Sequence, residues 1–330
     1  MEEEIEARKK TTLLEEVHFF HDALPELSTD DISLETKVLG TTLRAPILIS
    51  GMTGGSERAL PINKSLAKVA QDFGFAFGLG SQRAMLNDPD LAYTYDIREV
   101  APTVFLIGNI GAVQAAQSST QDIEKMVGRI DANALCIHLN PAQELIQPKG
   151  DRDFRGCLDA IARLVDNLSI PVIVKETGCG FSPKTLDKIK STNAKYIEIS
   201  GAGGTTWVGV ETKRSSGLQQ KIGELLWDWG VPTAPSIHYS SKRGFGTLAS
   251  GGIRNIKDIA AALSLGADLC GMARPWLVAQ SEGRERALAE ELIEGLKMIC
   301  CLTGCKSPHD LRTLDRVNGP NLERWMNADR

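Results

Sequence analysis

The chain has 330 residues, 42% of them hydrophobic and 24% charged, with a net charge of −5. That length suits one large domain or two small ones around a real core, and the composition excludes a disordered chain. The acidic balance speaks against a protein that coats nucleic acid, and no apolar run is long enough to span a bilayer.

The opening MEEEIEARKK has no apolar stretch behind it, so no signal peptide is expected and the expected compartment is the cytoplasm. Residues 1–45 are polar and without periodicity, and read as an extension that caps one end of the domain beginning at Pro46. From Pro46 onward, short β-rich runs each end in a glycine-rich or polar loop. They are Pro46–Ser50, Phe75–Gly80, Val104–Gly108, Ala134–Asn140, Val172–Thr177, Tyr196–Ser200, Thr247–Ser250 and Asp268–Ala273. Most are continuously apolar, as parallel strands buried on both faces are. Helical patterns lie between them: Leu66, Val69, Ala70 and Phe73; Leu158, Ile161, Ala162 and Val165; Ile256, Ile259, Ala260 and Leu263. Ser182-Pro183 supplies an N-cap and a first-turn proline, and Ala287–Cys300 closes the series.

Eight β-then-α units predict an α/β fold, a TIM (β/α)8 barrel over residues 46–304, with the 1–45 extension before it and a helical tail over 305–330. An open doubly wound sheet is the rival, but nothing in it calls for eight units. The seven cysteines are an odd number. Cys136 and Cys270 sit in apolar runs as small core residues, and Cys300, Cys301 and Cys305 lack a second pair at zinc spacing. Structural thiols are expected.

In such a barrel the loops after the strands share one rim, where the chemistry sits. Gly251, Gly252 and Arg254 follow the seventh run, and Ala273 and Arg274 the eighth; these two loops are the usual phosphate site of the fold. Lys175 ends an apolar strand, where a charge is costly unless used. It either pairs with Glu176 or faces the barrel centre and holds an electron-rich group; the two alternate across the strand and cannot both point inward. A phosphate seat with a central lysine suits a phosphate-bearing flavin, and Ser81, Asn109, Ser200 and Thr205 are neutral hydrogen-bonding groups for its ring edges. His138 and Asn140 share one strand face, followed by Gln143 and Glu144. One glutamate among amides is a reasonable Mg²⁺ site when substrate phosphates complete the shell, or else a solvated turn. Arg83 suits bidentate diphosphate recognition. The Arg8-Lys9-Lys10 cluster, taken alone, reads as solvent-facing.

In chain order the segments MTGG (52–55), GSQR (80–83), GNIG (108–111), HLNPAQE (138–144), VKE (174–176), GCG (178–180), SGAGGTTW (200–207) and SGGIR (250–254) resemble those of the type 2 isopentenyl-diphosphate isomerases. The resemblance spans about residues 23–304. It implies an FMN enzyme of isoprenoid biosynthesis that moves a double bond between isopentenyl and dimethylallyl diphosphate, with flavin reduced by NAD(P)H and Mg²⁺ on the diphosphate. It further implies that Gln143 is catalytic and Glu144 holds the metal. Arg8, Lys9, Ser81, Gln82, Arg83, His138, Asn140 and Gln143 would bind substrate. Met52, Thr53, Gly54, Ser81, Asn109, Lys175, Ser200, Thr205, Gly251, Gly252, Arg254, Ala273 and Arg274 would bind FMN. A homo-oligomer without nucleic-acid or membrane partners is expected.

Three departures stand out: Thr12 and a shortened segment where the family has Arg-Lys-x-x-His, Lys149 in place of an acidic residue, and Arg274 in place of a small one. They leave room for an FMN-dependent oxidoreductase or isomerase acting on another prenyl or anionic small molecule, or for a non-enzymatic flavin-binding subunit. The Gln143-Glu144 pair favours an enzyme.

Overall fold

The computed structural model describes residues 5–329; the acidic opening before Ile5 lies outside them. Eight parallel strands close into a barrel: β1 (Ile47–Ile49), β2 (Ala76–Gly78), β3 (Phe105–Gly111), β4 (Ala134–Leu139), β5 (Val172–Glu176), β6 (Tyr196–Glu198), β7 (Gly246–Ala249) and β8 (Leu269–Met272). Neighbours follow chain order and β8 pairs back onto β1, with helices such as Ala59–Phe73, Cys157–Asn167 and Ile256–Ser264 between strands. The fold is a TIM (β/α)8 barrel, and each strand overlaps a run that the sequence predicts, although β3 continues to Gly111 and so carries Asn109 on the strand and not in the loop after it.

Strand alternation divides the apolar residues into two cores. Ile47, Ile49, Leu106, Ile110, Leu135, Ile137 and Val174 face outward against the helices. Leu48, Ala76, Ile107, Ala134, Cys136, Ile173, Leu248 and Leu269 face inward and fill the barrel. An antiparallel hairpin, Thr36–Val38 with Thr41–Leu43, adds Val38, Leu39 and Leu43 to the inner core and plugs the end where the strands begin. The tail is not wholly helical: Arg316–Asn318 pairs antiparallel with Val17–Phe19 before the helix Pro320–Met326. Three-residue strands carry almost no periodicity, and this pairing joins opposite ends of the chain, so local pattern could not reveal it.

At the other end the inward face turns polar. Asn109, His138, Lys175 and Glu198 follow one another on β3 to β6, with Ser250 just past β7 and Ser50 just past β1. A Cβ at Gly271 would meet the Ser50 hydroxyl, so glycine here leaves that hydroxyl its present position. Among the described residues no helix is long and apolar enough to cross a membrane. All seven cysteines are free thiols.

Candidate active site

The two readings of Lys175 are resolved by its partner. Its Nζ donates to Glu198 Oε1 at 2.7 Å inside the barrel, and both side chains are buried. Glu198 also accepts from Ser250 Oγ at 2.9 Å and, more weakly, from Cys136 Sγ at 3.4 Å. Cys136 is therefore more than a core filler; burial and the adjacent Glu198 push its thiol well up from the usual range.

Glu176 points the other way and makes no pair with Lys175. Its Oε2 accepts the backbone N–H groups of Thr177 and Cys179, each at 2.5 Å. Burial pushes its pKa up from 4.5 to about 8 despite those donors. The folded state therefore holds this proton more tightly than the unfolded chain does. Its contribution to stability is full below about pH 4.5 and is lost as pH rises toward 8, by at most about 1.4 kcal/mol per pH unit. Glu176→Gln keeps an acceptor oxygen for both N–H groups and is expected to flatten this decline in urea denaturation at pH 5 and pH 8. An unchanged slope would assign the pH dependence elsewhere.

His138 Nδ1 lies 2.8 Å from Asn109 Oδ1, while Asn109 Nδ2 donates to the Leu79 carbonyl at 3.3 Å. That orientation makes Nδ1 the protonated nitrogen and leaves Nε2 as an acceptor. Burial, with Lys175 and Arg83 nearby, lowers the His138 pKa to about 4, so the ring is neutral near pH 7. Gln82 is fully buried: its Nε2 donates to the Gly80 carbonyl at 2.7 Å, and its Oε1 accepts from Asn109 N at 2.6 Å. Its amide ties the β2 and β3 loops together instead of reaching the rim. Arg83, next in sequence, is exposed.

After β4, proline starts the short helix Pro141–Ile146, which sets Gln143 and Glu144 at the mouth. Glu144 is buried; Oε1 accepts from Asn140 Nδ2 at 2.9 Å and Oε2 from Asp151 N at 2.7 Å. Each oxygen keeps capacity for a further partner, which fits a hard cation bound through one carboxylate. Gln143 Nε2 donates to Glu211 Oε1 at 3.4 Å, and Glu211 is buried with Arg214 at 3.3 Å. No motif in the sequence marks Glu211. The signal is positional: a glutamate four residues after Trp207, one turn inside a helix that follows a rim loop.

The anion seat forms where the sixth, seventh and eighth loops meet. Gly251 and Gly252 adopt φ of 94° and 75°, which only glycine holds without strain. A Cβ at Gly252 would strike the methyl of Thr12. The chain itself places an anion here: the Glu6 carboxylate pairs with Arg254, lies 3.2 Å from Arg274 Nη1 and accepts from Thr205 Oγ1 at 3.4 Å. Ser200 stands at φ 40°, an uncommon left-handed conformation; its N–H donates to Ser250 Oγ at 3.1 Å, and its carbonyl accepts from Gly178 at 2.8 Å. Ala273 precedes the helix Arg274–Ser281.

Across the mouth, the Thr53 carbonyl accepts from Gly80 N at 2.9 Å, Met52 and Gly54 flank it, and Tyr95 donates to the Ser81 carbonyl at 2.7 Å. The residues expected at FMN thus sit on loops and strand ends at one end of the barrel. A stand-in anion in the seat, glycines that admit no Cβ, and a buried Ser50 hydroxyl without a partner among the described residues all fit a phosphate-bearing polar ring system.

The N-terminal arm behaves differently from expectation. Arg8 pairs with Glu224 at 2.5 Å and stacks over Trp227 at 3.6 Å, while the backbone N–H groups of Arg8 and Lys9 bond to Asp228. The structure therefore does not bring Arg8 together with Arg83. Thr12 is buried and accepts from Leu14 N at 3.2 Å. The arm crosses the anion seat because its backbone pairs with the sixth loop, Ala7 N to Gly204 O at 2.9 Å.

The family model for FMN-dependent dehydrogenases matches residues 138–316. The isopentenyl-diphosphate delta-isomerase of a Synechococcus species is 43% identical over 320 residues, covering 96% of this chain and 92% of that one. Its counterpart from Methanosarcina mazei is 40% identical over 317 residues, covering 94% and 87%. Among solved structures, mandelate oxidase with (S)-2-phenylpropionate superposes with a TM-score of 0.63 at 17% identity, covering 94% of this chain and 88% of that one. At that identity the likeness concerns the fold.

Proposed function

The chain belongs to the FMN-dependent, type 2 isopentenyl-diphosphate delta-isomerases, and from that membership we propose that it interconverts isopentenyl and dimethylallyl diphosphate. A proton joins the terminal methylene carbon and another leaves the internal methylene beside the alkene, with no net redox change. The observation that carries this reading is the Gln143-Glu144 pair, held at the barrel mouth by Asn140, Asp151 and Glu211.

FMN would be held by its phosphate at Gly251, Gly252, Arg254, Thr205 and Arg274, with Lys175 beneath the ring. Bound in its reduced form, it supplies an electron-rich surface that stabilises developing positive charge. Gln143 orients the reacting end of the substrate, and Glu211, hydrogen-bonded to it, places a titratable group one contact away. Glu144 would take Mg²⁺ through one oxygen, with substrate phosphate completing the shell. Arg83 would meet the diphosphate, and neutral His138 would offer Nε2 as an acceptor. NAD(P)H as the flavin's reductant, a cytoplasmic location and a homo-oligomer belong to the same reading. The exposed apolar residues Leu218, Leu225 and Trp229 are consistent with self-association.

Anaerobic incubation with isopentenyl diphosphate, reduced FMN and Mg²⁺ is expected to yield dimethylallyl diphosphate. Substrate recovered unchanged from a flavin-loaded, reduced protein would overturn the reading in favour of a redox relative. FMN phosphate must also displace Glu6 from the seat. Glu6→Ala is accordingly expected to bind FMN about fivefold more tightly, the worth of a partly exposed ion pair at ~1 kcal/mol. Equal affinities by flavin fluorescence would place the phosphate elsewhere.

A further inference from the structure

The proposed isomerisation makes no use of Glu198. It is a buried carboxylate on the inward face of β6, directly beside Lys175 in the strand register. Among the described residues, Glu198 is the one group hydrogen-bonded to the Lys175 ammonium, at 2.7 Å, which leaves two N–H donors on that nitrogen. Ser250, at 2.9 Å, and Cys136, at 3.4 Å, hold the carboxylate from two other sides. Three strands and the start of the seventh loop thus converge on one carboxylate at the floor of the mouth. An acid is not needed to satisfy Ser250 or Cys136, both of which could bond to a neutral oxygen. Of the three partners only Lys175 carries a charge for it to offset.

We infer that Glu198 is a positioning residue for the flavin: it aims the Lys175 ammonium at the ring and offsets its charge. This rests on FMN being the group bound at the mouth. With the pair intact, Lys175 presents hydrogen-bond donors while the site's net charge beneath the ring stays near zero. Without the carboxylate, the same ammonium acts as an uncompensated cation in a poorly solvated place, where its field is weakly screened. Negative charge on the ring would then be favoured, both in the reduced anion and in the adduct that sulfite forms with oxidised flavin. In that adduct the sulfite lone pair makes the new N–S bond and the displaced electron pair stays on the ring as charge.

The test uses the FMN-loaded protein. Glu198→Gln is expected to bind sulfite at least about tenfold more tightly than wild type and to shift the flavin midpoint potential positively, because one charge a few ångströms away outweighs thermal energy even at an effective dielectric of about 20. Removing both charges in the Lys175→Met, Glu198→Gln double variant is expected to return sulfite affinity to within about threefold of wild type, since the net charge is again zero. Glu198→Asp keeps the charge but draws Lys175 back by one methylene. It should leave the potential near wild type while weakening FMN binding, and it decides the matter if Glu198→Gln does not fold. Flavin-loaded Glu198→Gln with wild-type sulfite affinity and potential overturns the inference and reduces Glu198 to a structural residue, as does Glu198→Asp with unchanged FMN affinity. A wild-type protein that takes up no FMN overturns the cofactor reading as well, so the two failures are distinguishable.

Discussion

Glu144→Gln is expected to lower magnesium-stimulated turnover by about two to three orders of magnitude, the usual scale when one electrostatic contact to a reacting anion is lost. FMN affinity should stay within about twofold, because Glu144 lies across the mouth from the phosphate seat. The substitution removes the carboxylate charge that the helix Pro141–Ile146 offers to a cation. It also replaces one acceptor with an NH₂ group facing either Asn140 Nδ2 or Asp151 N, both of which are donors. The short helix Pro141–Ile146 should survive, since Arg152 and the backbone hold it independently of the carboxylate. Product formation titrated against Mg²⁺ checks this; undiminished magnesium-stimulated activity in the variant would remove Glu144 from the metal site.

Lys175→Ala carries the second large effect, on two measurable quantities. It strands Glu198 among Ser250 and Cys136 in the barrel interior without its counter-charge. Breaking a buried pair from one side destabilises by about 3–5 kcal/mol, so the midpoint in urea should fall clearly for the protein without flavin. FMN affinity should also drop by about tenfold or more as a charge-assisted donor beneath the ring is lost. Adding Glu198→Gln to Lys175→Ala should recover part of the stability but not the flavin affinity, which separates the two effects. Normal flavin retention in Lys175→Ala would contradict the placement of the ring over this residue.

Much of the site was legible because barrel architecture makes loop position meaningful. Once eight strands were recognised, Gly251, Gly252 and Arg274 had to meet on one rim, and the structure adds a carboxylate between Arg254 and Arg274. Lys175 was legible as an anomaly, since a cation in an apolar strand needs a partner. Its partner was not, because Glu198 is twenty-three positions away and becomes its neighbour only through the β5–β6 register. Gln82 illustrates the opposite difficulty. Beside Ser81 and Arg83 it reads as a rim residue, yet the turn after β2 swings its amide inward to the Gly80 carbonyl. Glu211 is not legible in the sequence because a glutamate on a helix is ordinarily solvated; burial against Gln143 is what sets it apart.

By itself the amino-acid order determined the strands, the helices between them and the glycine-rich loops. Hydrophobic runs, caps and turn residues act over a few neighbouring positions, and eight repeats of one unit admit few closed arrangements. Which charges cancel which was decided only in three dimensions. The Lys175–Glu198 pair, the seating of Glu6 between two arginines and the turning of Arg8 onto Trp227 all join segments distant in the chain. Electrostatic energies depend on separation and burial, and neither is defined until the barrel has closed.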